Sequence, residues 1–203
     1  MMKRDIPLKR FTVAVLLFLA VICLSCSSAS AIPEFNTEVK LSTYQQVTLE
    51  EASDILGVTL PEPAYLPKGL QIQEVYVYYH PPGGYYPQGK GNVRIIFSDG
   101  KVEKELIEYT DQDGITRLKY NIECRMRLQI NWLGGEKFIP IKVPPGLEIV
   151  EINGKVGFIR EKANVNTLTW QFPEFELYLS ASRDAPKEEL IKVAESVKPV
   201  SVT

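Results

Sequence analysis

Histidine, the side chain that most often acts as a general base near neutral pH, occurs once in the chain, as His80. A Ser-His-Asp or Cys-His enzyme would have to build its catalytic group around this residue. His80 comes just before a loop rich in proline and glycine, so a solvated loop histidine is the simpler interpretation. The sequence therefore predicts neither a histidine-based catalytic site nor a Cys/His zinc site.

Pairs of acidic residues could supply a different acid–base chemistry. The pairs are Glu50 with Glu51, Glu103 with Glu105, and Glu174 with Glu176. Glycoside hydrolysis needs two carboxylates that face each other across a cleft, and sequence proximity alone does not create that geometry. Solvated strand faces and helix starts are the expected positions of these residues. An extracytoplasmic hydrolase that uses an unrecognised carboxylate pair is the alternative functional hypothesis.

Two short segments resemble ligand-binding loops without completing them. Residues 84–91 read G-x-x-x-x-G-K, but Gly91 stands where a P-loop has the Ser or Thr that binds Mg²⁺. A strand, not the phosphate-binding helix, is expected to follow. The segment Asp111–Gly114 opens like a calcium loop but lacks the later acidic ligands, so it is expected to be a hairpin turn. We expect no metal and no cofactor.

Tyrosines around a flexible loop are the candidate binding residues. Tyr85 and Tyr86 lie among the prolines and glycines of residues 81–91, and Tyr76 and Tyr78 belong to the strand before this loop. Exposed tyrosines on a mobile loop are common contact residues. The alternative is a hairpin whose tyrosines fold back onto the sheet.

The first 25 residues have the composition of a signal peptide. Four basic residues lie before residue 11, and the run of 14 residues from Phe11 to Leu24 is uncharged and almost wholly apolar. As a helix this run would span about 21 Å, which is less than the roughly 30 Å of a bilayer's hydrocarbon core. An exported protein is therefore expected rather than one with a permanent transmembrane helix.

Two cleavage sites follow the apolar run. Cys23-Leu24-Ser25-Cys26 resembles the lipobox of bacterial lipoproteins, and it predicts a lipid on Cys26 that holds the protein on the outer side of a membrane. Each buried CH₂ of such a lipid contributes about 0.8 kcal/mol, so several acyl chains anchor stably. Ala29-Ser30-Ala31 is the competing site, and cleavage after Ala31 would release a secreted protein that starts at Ile32.

Net charge restricts the binding partners of the chain, and the number of cysteines restricts its disulfides. Without residues 1–25 the chain keeps 19 basic and 24 acidic residues, a net charge of −5, which does not suit nucleic acid. Lipidation of Cys26 would leave Cys124 without an intramolecular disulfide partner. Cys124 is expected to be a small buried hydrophobe. The expected partners are the membrane, through the N-terminal lipid, and an apolar ligand or an envelope protein.

The chain is expected to contain one domain behind a tether. Residues 26–47 are rich in serine and have no sustained hydrophobic period, so they are interpreted as a tether. The ordered domain is predicted to cover residues 48–203. It begins with a short helix that is capped by Thr48 and ended by Gly57, and it closes with a helix that starts near Pro186.

Strand signals fill the region between the two helices. Turns are predicted at Ser98-Asp99-Gly100, at Asp111–Gly114, at Asn153-Gly154 and at Pro173-Glu174. The clearest signal is the alternation from Leu118 to Trp132, in which every even position is apolar and every odd one polar. It predicts one long antiparallel strand, or two that share a face, with the even positions in the core.

These elements predict an α+β fold. Consecutive hairpins imply a curved antiparallel sheet, like half of a barrel, and the N- and C-terminal helices are the natural cover for its apolar face. The helices have too few apolar residues to cover so much sheet. An apolar groove is therefore expected between the sheet and the C-terminal helix.

One set of segments carries a resemblance to known proteins: Pro63–Gly69, Ile152–Gly154, Leu168–Trp170, Tyr178 and Glu188–Val197. Together these segments are similar to a bacterial extracytoplasmic domain family of unknown function, found in lipoproteins and in anti-sigma factor ectodomains. The resemblance implies the open half-barrel of lipoprotein carriers, with a helical lid over an apolar hollow. It implies no catalytic residues. The leading functional hypothesis is thus a non-catalytic lipoprotein of the cell envelope that binds or senses a lipid, acyl chain, peptide or partner protein.

Overall fold

Strands dominate the part of the chain that the structure describes. A computed structural model describes residues 32–41, 43–80, 90–134 and 140–198. The strands are β1 Phe35–Lys40, β2 Gln45–Val47, β3 Gln71–His80, β4 Lys90–Ser98, β5 Glu103–Thr110, β6 Thr116–Cys124, β7 Met126–Trp132, β8 Glu148–Ile152, β9 Lys155–Glu161, β10 Val165–Phe172 and β11 Phe175–Ser182. The helices are α1 Leu49–Leu56 and α2 Lys187–Ser196.

The strands form two open antiparallel sheets. The larger sheet has eight strands in the order β2-β3-β4-β7-β11-β10-β9-β8, and the smaller sheet has the order β1-β6-β5. Both helices contribute to the core of the larger sheet, through Ala52 and Leu56 of α1 and Leu190 of α2. The predicted α+β fold, an antiparallel sheet with both helices on its apolar face, is confirmed.

Local sequence explains the turns and the first helix. Thr48 and Glu51 form a reciprocal capping box at the start of α1, and Gly57 ends the helix with a φ of 67°. Asn153 and Gly154 both have positive φ, 51° and 73°, and they join β8 to β9 in a tight hairpin. These predicted boundaries are confirmed.

Each sheet contributes to a separate apolar core. The helix-side core lies between the larger sheet and the helices, and Leu128, Trp170 and Leu190 are completely buried in it. The inter-sheet core lies on the opposite face of the larger sheet. Its buried residues are Phe35, Val39, Tyr76, Ile96, Val102, Ile122 and Cys124.

The long alternating segment supplies both cores. It is two strands, because β6 ends at Cys124 in the smaller sheet and β7 begins at Met126 in the larger one. Arg125 lies at the crossing, where its guanidinium binds the carboxylates of Glu34 and Asp99 at 3.0 and 3.2 Å. The buried even positions therefore face two different cores.

Three sequence predictions need correction here. Leu118, an even position, is 39% exposed at the far end of β6, whereas the odd position Arg127 is partly covered by the smaller sheet. Ser98-Asp99-Gly100 does not close a hairpin, since the strands it joins, β4 and β5, lie in different sheets.

The predicted tether, residues 26–47, is wrong for its second half. β1 pairs with β6 along its whole length, and β2 pairs with β3. Phe35, Thr37 and Val39 are buried while their neighbours are exposed, so β1 has the alternation of a half-buried strand. The compact unit of the structure begins at Ile32. The predicted signal peptide, residues 1–25, lies outside the described residues.

Candidate functional site

A polar cleft occupies the outer face of the larger sheet, which is the face turned away from the helices. Tyr76 and Ile96, on β3 and β4, lie under the smaller sheet as part of the inter-sheet core. The outer face of β7, β11, β10 and β9 instead carries polar side chains. The cleft lies between this part of the larger sheet and β1, the edge strand of the smaller sheet.

Strand register explains why these side chains meet. Arg127 pairs with Ser180 on β11, Ser180 pairs with Thr167 on β10, and Thr167 pairs with Arg160 on β9. Residues that pair directly across antiparallel strands point to the same face, with Cβ atoms about 5 Å apart. Four strands therefore place one polar row on the outer face. In the next row Arg94 pairs with Gln129.

Two adjoining cavities make up the cleft. One has a volume of about 290 Å³ and the other about 400 Å³. Arg127, Lys162 and Thr167 line both, so the cavities meet at these three side chains. The first cavity is also lined by Gln129, Phe158, Arg160, Thr169, Glu176 and Tyr178. The second is also lined by Phe35, Asn36, Thr37, Glu38, Lys40, Tyr44, Arg94 and Val165.

Arg127 lies at the junction of the cavities, and no carboxylate of the described residues forms a salt bridge with it. Its terminal nitrogens donate to the hydroxyl of Thr37 on β1 and, at 3.3 Å, to that of Ser180 on β11. Its Nε is buried and has no hydrogen-bond partner among the described residues. Burial, followed by the positive charge of Arg94, lowers the pKa of Arg127, although a guanidinium stays charged at neutral pH.

Arg94 is the second guanidinium of the cleft. One terminal nitrogen donates to the backbone carbonyl of Glu38, and its Cζ lies 4.4 Å from the centroid of the Tyr44 ring. Its Nε is also buried and unpaired in the part of the chain that the structure describes. The cation–π contact stabilises the charge, and Arg94 also makes a hydrogen bond with the Tyr44 side chain, so only part of its five N–H donors remains for other partners.

No family model, curated protein or solved structure matches the chain.

Neutral hydrogen-bonding groups complete the cleft wall. Burial raises the pKa of the Tyr178 hydroxyl, and its hydrogen bond with Glu176 raises it further. Tyr178 therefore remains a protonated donor at any ordinary pH. The carboxylate of Glu176 also accepts from the Asn131 amide at 3.3 Å. Gln129, Thr167 and Thr169 add amide and hydroxyl groups to the same wall.

Tyr76 and Tyr78, two of the four tyrosines predicted as binding residues, do not share an accessible surface. Tyr76 is completely buried in the inter-sheet core, so it has no surface with which to contact a ligand. Tyr78 is partly buried, packs on Tyr44 and bonds to His80. His80 thus ends β3 in contact with a tyrosine and is not a solvated loop residue. Tyr85 and Tyr86, like Cys26, lie outside the described residues.

The apolar groove expected beside the C-terminal helix is filled. Leu190, Val193 and Ala194 of α2 are completely buried, and so are Leu168 and Trp170 in the same core. The prediction underestimated the cover because residues outside the two helices, among them Leu60, Ala185 and Val197, also pack there. This packing leaves no apolar hollow between these residues.

Carboxylates cluster on the other face of the smaller sheet. Glu123 pairs with Glu103 across β6 and β5, and both line a cavity of about 240 Å³. A hydrogen bond with Glu34, and the negative charge of Glu34, raise the pKa of Glu123. The predicted pair Glu103 and Glu105 shares this open cavity, whereas Glu51 is used by the helix cap.

This carboxylate cluster leads to a pH-dependent prediction. Because Glu123 binds its proton more tightly in the folded state than in the unfolded state, its charge destabilises the fold at neutral pH. Glu123→Gln is expected to raise the melting temperature at pH 7. The gain should shrink as the pH falls through the raised pKa and vanish below the ordinary value of about 4.3. Thermal unfolding between pH 3.5 and 8 measures it.

Glu108→Gln is the matched control for this measurement. Glu108 is an exposed glutamate of the same sheet, opposite Leu118 and far along the register from Glu123. Its substitution should not reproduce the pH-dependent gain. Equal gains for both variants would mean that net charge, and not the contact with Glu34, sets the effect.

The described residues contain neither a metal-binding cluster nor a helix that could span a membrane. No group of three or more His, Cys, Asp or Glu side chains there is placed to hold a metal ion. No helix in the same ranges is long and apolar enough to cross a membrane. Asp111, in the loop that resembles a calcium site, accepts backbone N–H groups of Asp113 and Ile115 and binds Arg117, as expected of a hairpin turn.

Proposed function

We propose that the chain is a non-catalytic binding module of a bacterial cell envelope, exported and held on the outer side of the membrane by a lipid on Cys26. The ligand site is the polar cleft between the two sheets. We also propose that the chain is related to the extracytoplasmic domains of lipoproteins and anti-sigma factors that its sequence resembles. The proposed location on the outer side of the membrane is supported by the basic and apolar segments of residues 1–25 and by the small residue before Cys26.

One observation carries the binding role: the outer face of the larger sheet is polar and open beside β1. A surface sheet face built only for stability would either be covered or carry charges that neutralise one another. Here the buried Nε atoms of two guanidinium groups that line cavities of ligand size have no hydrogen-bond partner within the described ranges. The filled helix-side core removes the support for an acyl chain at that place, so the proposed ligand is polar.

A single mass-spectrometric experiment tests the proposal. The full chain is expressed in a bacterial host and extracted from its membranes with mild detergent. Intact-mass analysis is expected to show an N-terminus at Cys26 that carries diacylglyceryl and an amide-linked acyl chain. Native spectra recorded after incubation with polar envelope metabolites are expected to show a stoichiometric adduct.

Thr167→Trp locates the adduct, because Thr167 lines both cavities and a bulky ring there would fill their junction. Thr116→Trp is the control, at an exposed position of β6 in the β5–β6 hairpin. Loss of the adduct in the first variant alone supports the cleft. An unmodified N-terminus at Ile32 would overturn the anchor, and an adduct unchanged in both variants would overturn the cleft.

A further inference from the structure

The cleft has a charge opposite to that of the exported chain. Its lining contains five cationic side chains, Lys40, Arg94, Arg127, Arg160 and Lys162, and two carboxylates, Glu38 and Glu176. The exported part as a whole carries a net charge of −5. An acidic protein that concentrates cations in one cleft focuses a positive potential there, which attracts anions from solution.

The two carboxylates of the lining do not neutralise these cations. Glu38 binds Lys119, which belongs to β6 and does not line the cleft. Glu176 accepts hydrogen bonds from Asn131 and Tyr178. Among the described residues no salt bridge involves Arg94, Arg127, Arg160 or Lys162.

An unpaired arrangement of this kind is costly unless a ligand compensates it. Arg94 and Arg127 are close enough for their charges to repel, and both are partly buried. Burial of cations without counter-ions is unfavourable, and strongly perturbed charges in a cleft are typical of functional sites. The hydroxyls of Thr37 and Ser180 satisfy part of the Arg127 guanidinium but bring no negative charge.

Resting on the function proposed above, we propose that the cleft binds an anionic ligand through a carboxylate or phosphate group held by the guanidinium groups of Arg94 and Arg127. Each guanidinium has five N–H donors in a planar fork that matches the oxygens of these two groups. Arg160, on β9, and Lys162, just after this strand, are exposed at the cleft and provide further positive charge.

The rest of the ligand is a small hydroxylated body. Cavities of about 290 and 400 Å³ suit a ligand of the size of one sugar or a small organic acid. Gln129, Thr167, Thr169 and Tyr178 offer hydrogen-bonding groups to hydroxyls, whereas the apolar lining is limited to Phe35, Phe158 and Val165 with the Tyr44 ring. Uronic acids and sugar phosphates have this chemistry.

Isothermal titration calorimetry of the full chain in detergent tests whether the ligand is an anion. The probes are glucuronate, glucose 6-phosphate, inorganic phosphate and, as the neutral control, glucose. Short-chain phosphatidylglycerol, with phosphatidylcholine as its control, separates a lipid headgroup from a soluble anion. At least one anionic probe is expected to bind saturably, with an affinity that falls as NaCl is raised. Glucose should not bind.

Arg127→Met is expected to weaken anion binding about tenfold or more, since a hydrogen bond to a charged group typically contributes that much. The double variant with Arg160→Met and Lys162→Met tests the two exposed cations of the cleft. Because both side chains are exposed, we expect the variant to fold normally, and it should also weaken anion binding. Arg183→Met is the matched control, because Arg183 is an exposed arginine outside the cleft lining. Circular dichroism checks the fold of each variant.

The outcomes separate this inference from the binding function itself. Binding of glucose that equals glucuronate binding would overturn the anionic ligand and leave a neutral-ligand module. Anion binding that neither the Arg127 substitution nor the Arg160 and Lys162 substitutions weaken would overturn this cleft as the anion site. Absence of binding by every anionic probe would also overturn it. The native adduct and its loss in Thr167→Trp decide the binding function independently of charge.

Discussion

Leu128→Asp is expected to lower the free energy of unfolding by about 4 kcal/mol or more, which is a large part of the 5–15 kcal/mol of a typical domain. Leu128 is completely buried in the helix-side core. β7 is flanked on one side by β4 and on the other by β11, so the side chain has no route to water. A carboxylate there would be buried without a counter-ion. Urea unfolding followed by circular dichroism measures the loss.

Gln129→Asp is the matched control, one residue further along the same strand. Gln129 points to the opposite face and lines the cleft, where Arg94 is its direct cross-strand neighbour. A carboxylate at this position would lie near two guanidinium groups, so the change in stability should stay within about 1 kcal/mol. Comparable losses in both variants would contradict the assignment of the two faces of β7.

The alternation in residues 118–132 shows what period-2 patterns reveal and what they leave open. The pattern placed Ile122 and Leu128 in the interior correctly, because apolar side chains at alternate positions must all leave water. It could not reveal that these residues enter different cores. A segment that passes from one sheet to the other at Arg125 keeps its alternation, because its even positions are buried in the core of each sheet in turn.

β1 was missed although it carries a signal. Phe35, Thr37 and Val39 alternate with three polar residues, which fits a short half-buried strand. The segment follows a serine-rich stretch, and the threonine at its centre weakens the apolar period. Its stability comes from pairing with β6, a partner some 80 residues away in sequence, and such non-local pairing is not visible in composition.

The cleft itself could not be predicted from the sequence. Arg94 and Arg127 occupy polar positions of alternating strands, and Arg160 is a polar residue near the end of β9. Such positions normally face solvent. Only the register of β4, β7, β11, β10 and β9 brings them to one face, and only the placement of β1 partly buries Arg127. With that geometry known, it becomes meaningful that no acidic residue of the described ranges forms a salt bridge with these three arginines.

The tyrosine prediction depended on a similar assumption. Tyr76 and Tyr78 alternate along β3 and were expected to share an accessible surface with the loop that follows. They do lie on the same face, but the smaller sheet covers that face at Tyr76. A single strand's pattern identifies which residues share a face and not whether another sheet packs on it.

Trp170→Ala is expected to cost about 3–5 kcal/mol of unfolding free energy. Trp170 is the largest of the completely buried side chains and lies in the helix-side core on β10. Gly157 on β9 shows how closely the chain packs around it, because a Cβ built at Gly157 would lie 3.4 Å from the Cβ of Trp170. Hydrogen bonds to β9 and β11 hold β10 in place, so the strands cannot collapse far enough to close a cavity of indole size.

Trp170→Phe separates packing from hydrogen bonding at the same position. The indole Nε1 is buried without a hydrogen-bond partner among the described residues. Phenylalanine keeps most of the apolar contact and removes this unsatisfied N–H, which offsets part of the lost volume. Its cost should therefore be less than half that of Trp170→Ala in urea unfolding followed by circular dichroism. Similar costs for both variants would contradict this expectation. They would mean that Nε1 donates a hydrogen bond in the folded protein, and that this bond contributes more to stability than the volume of the ring.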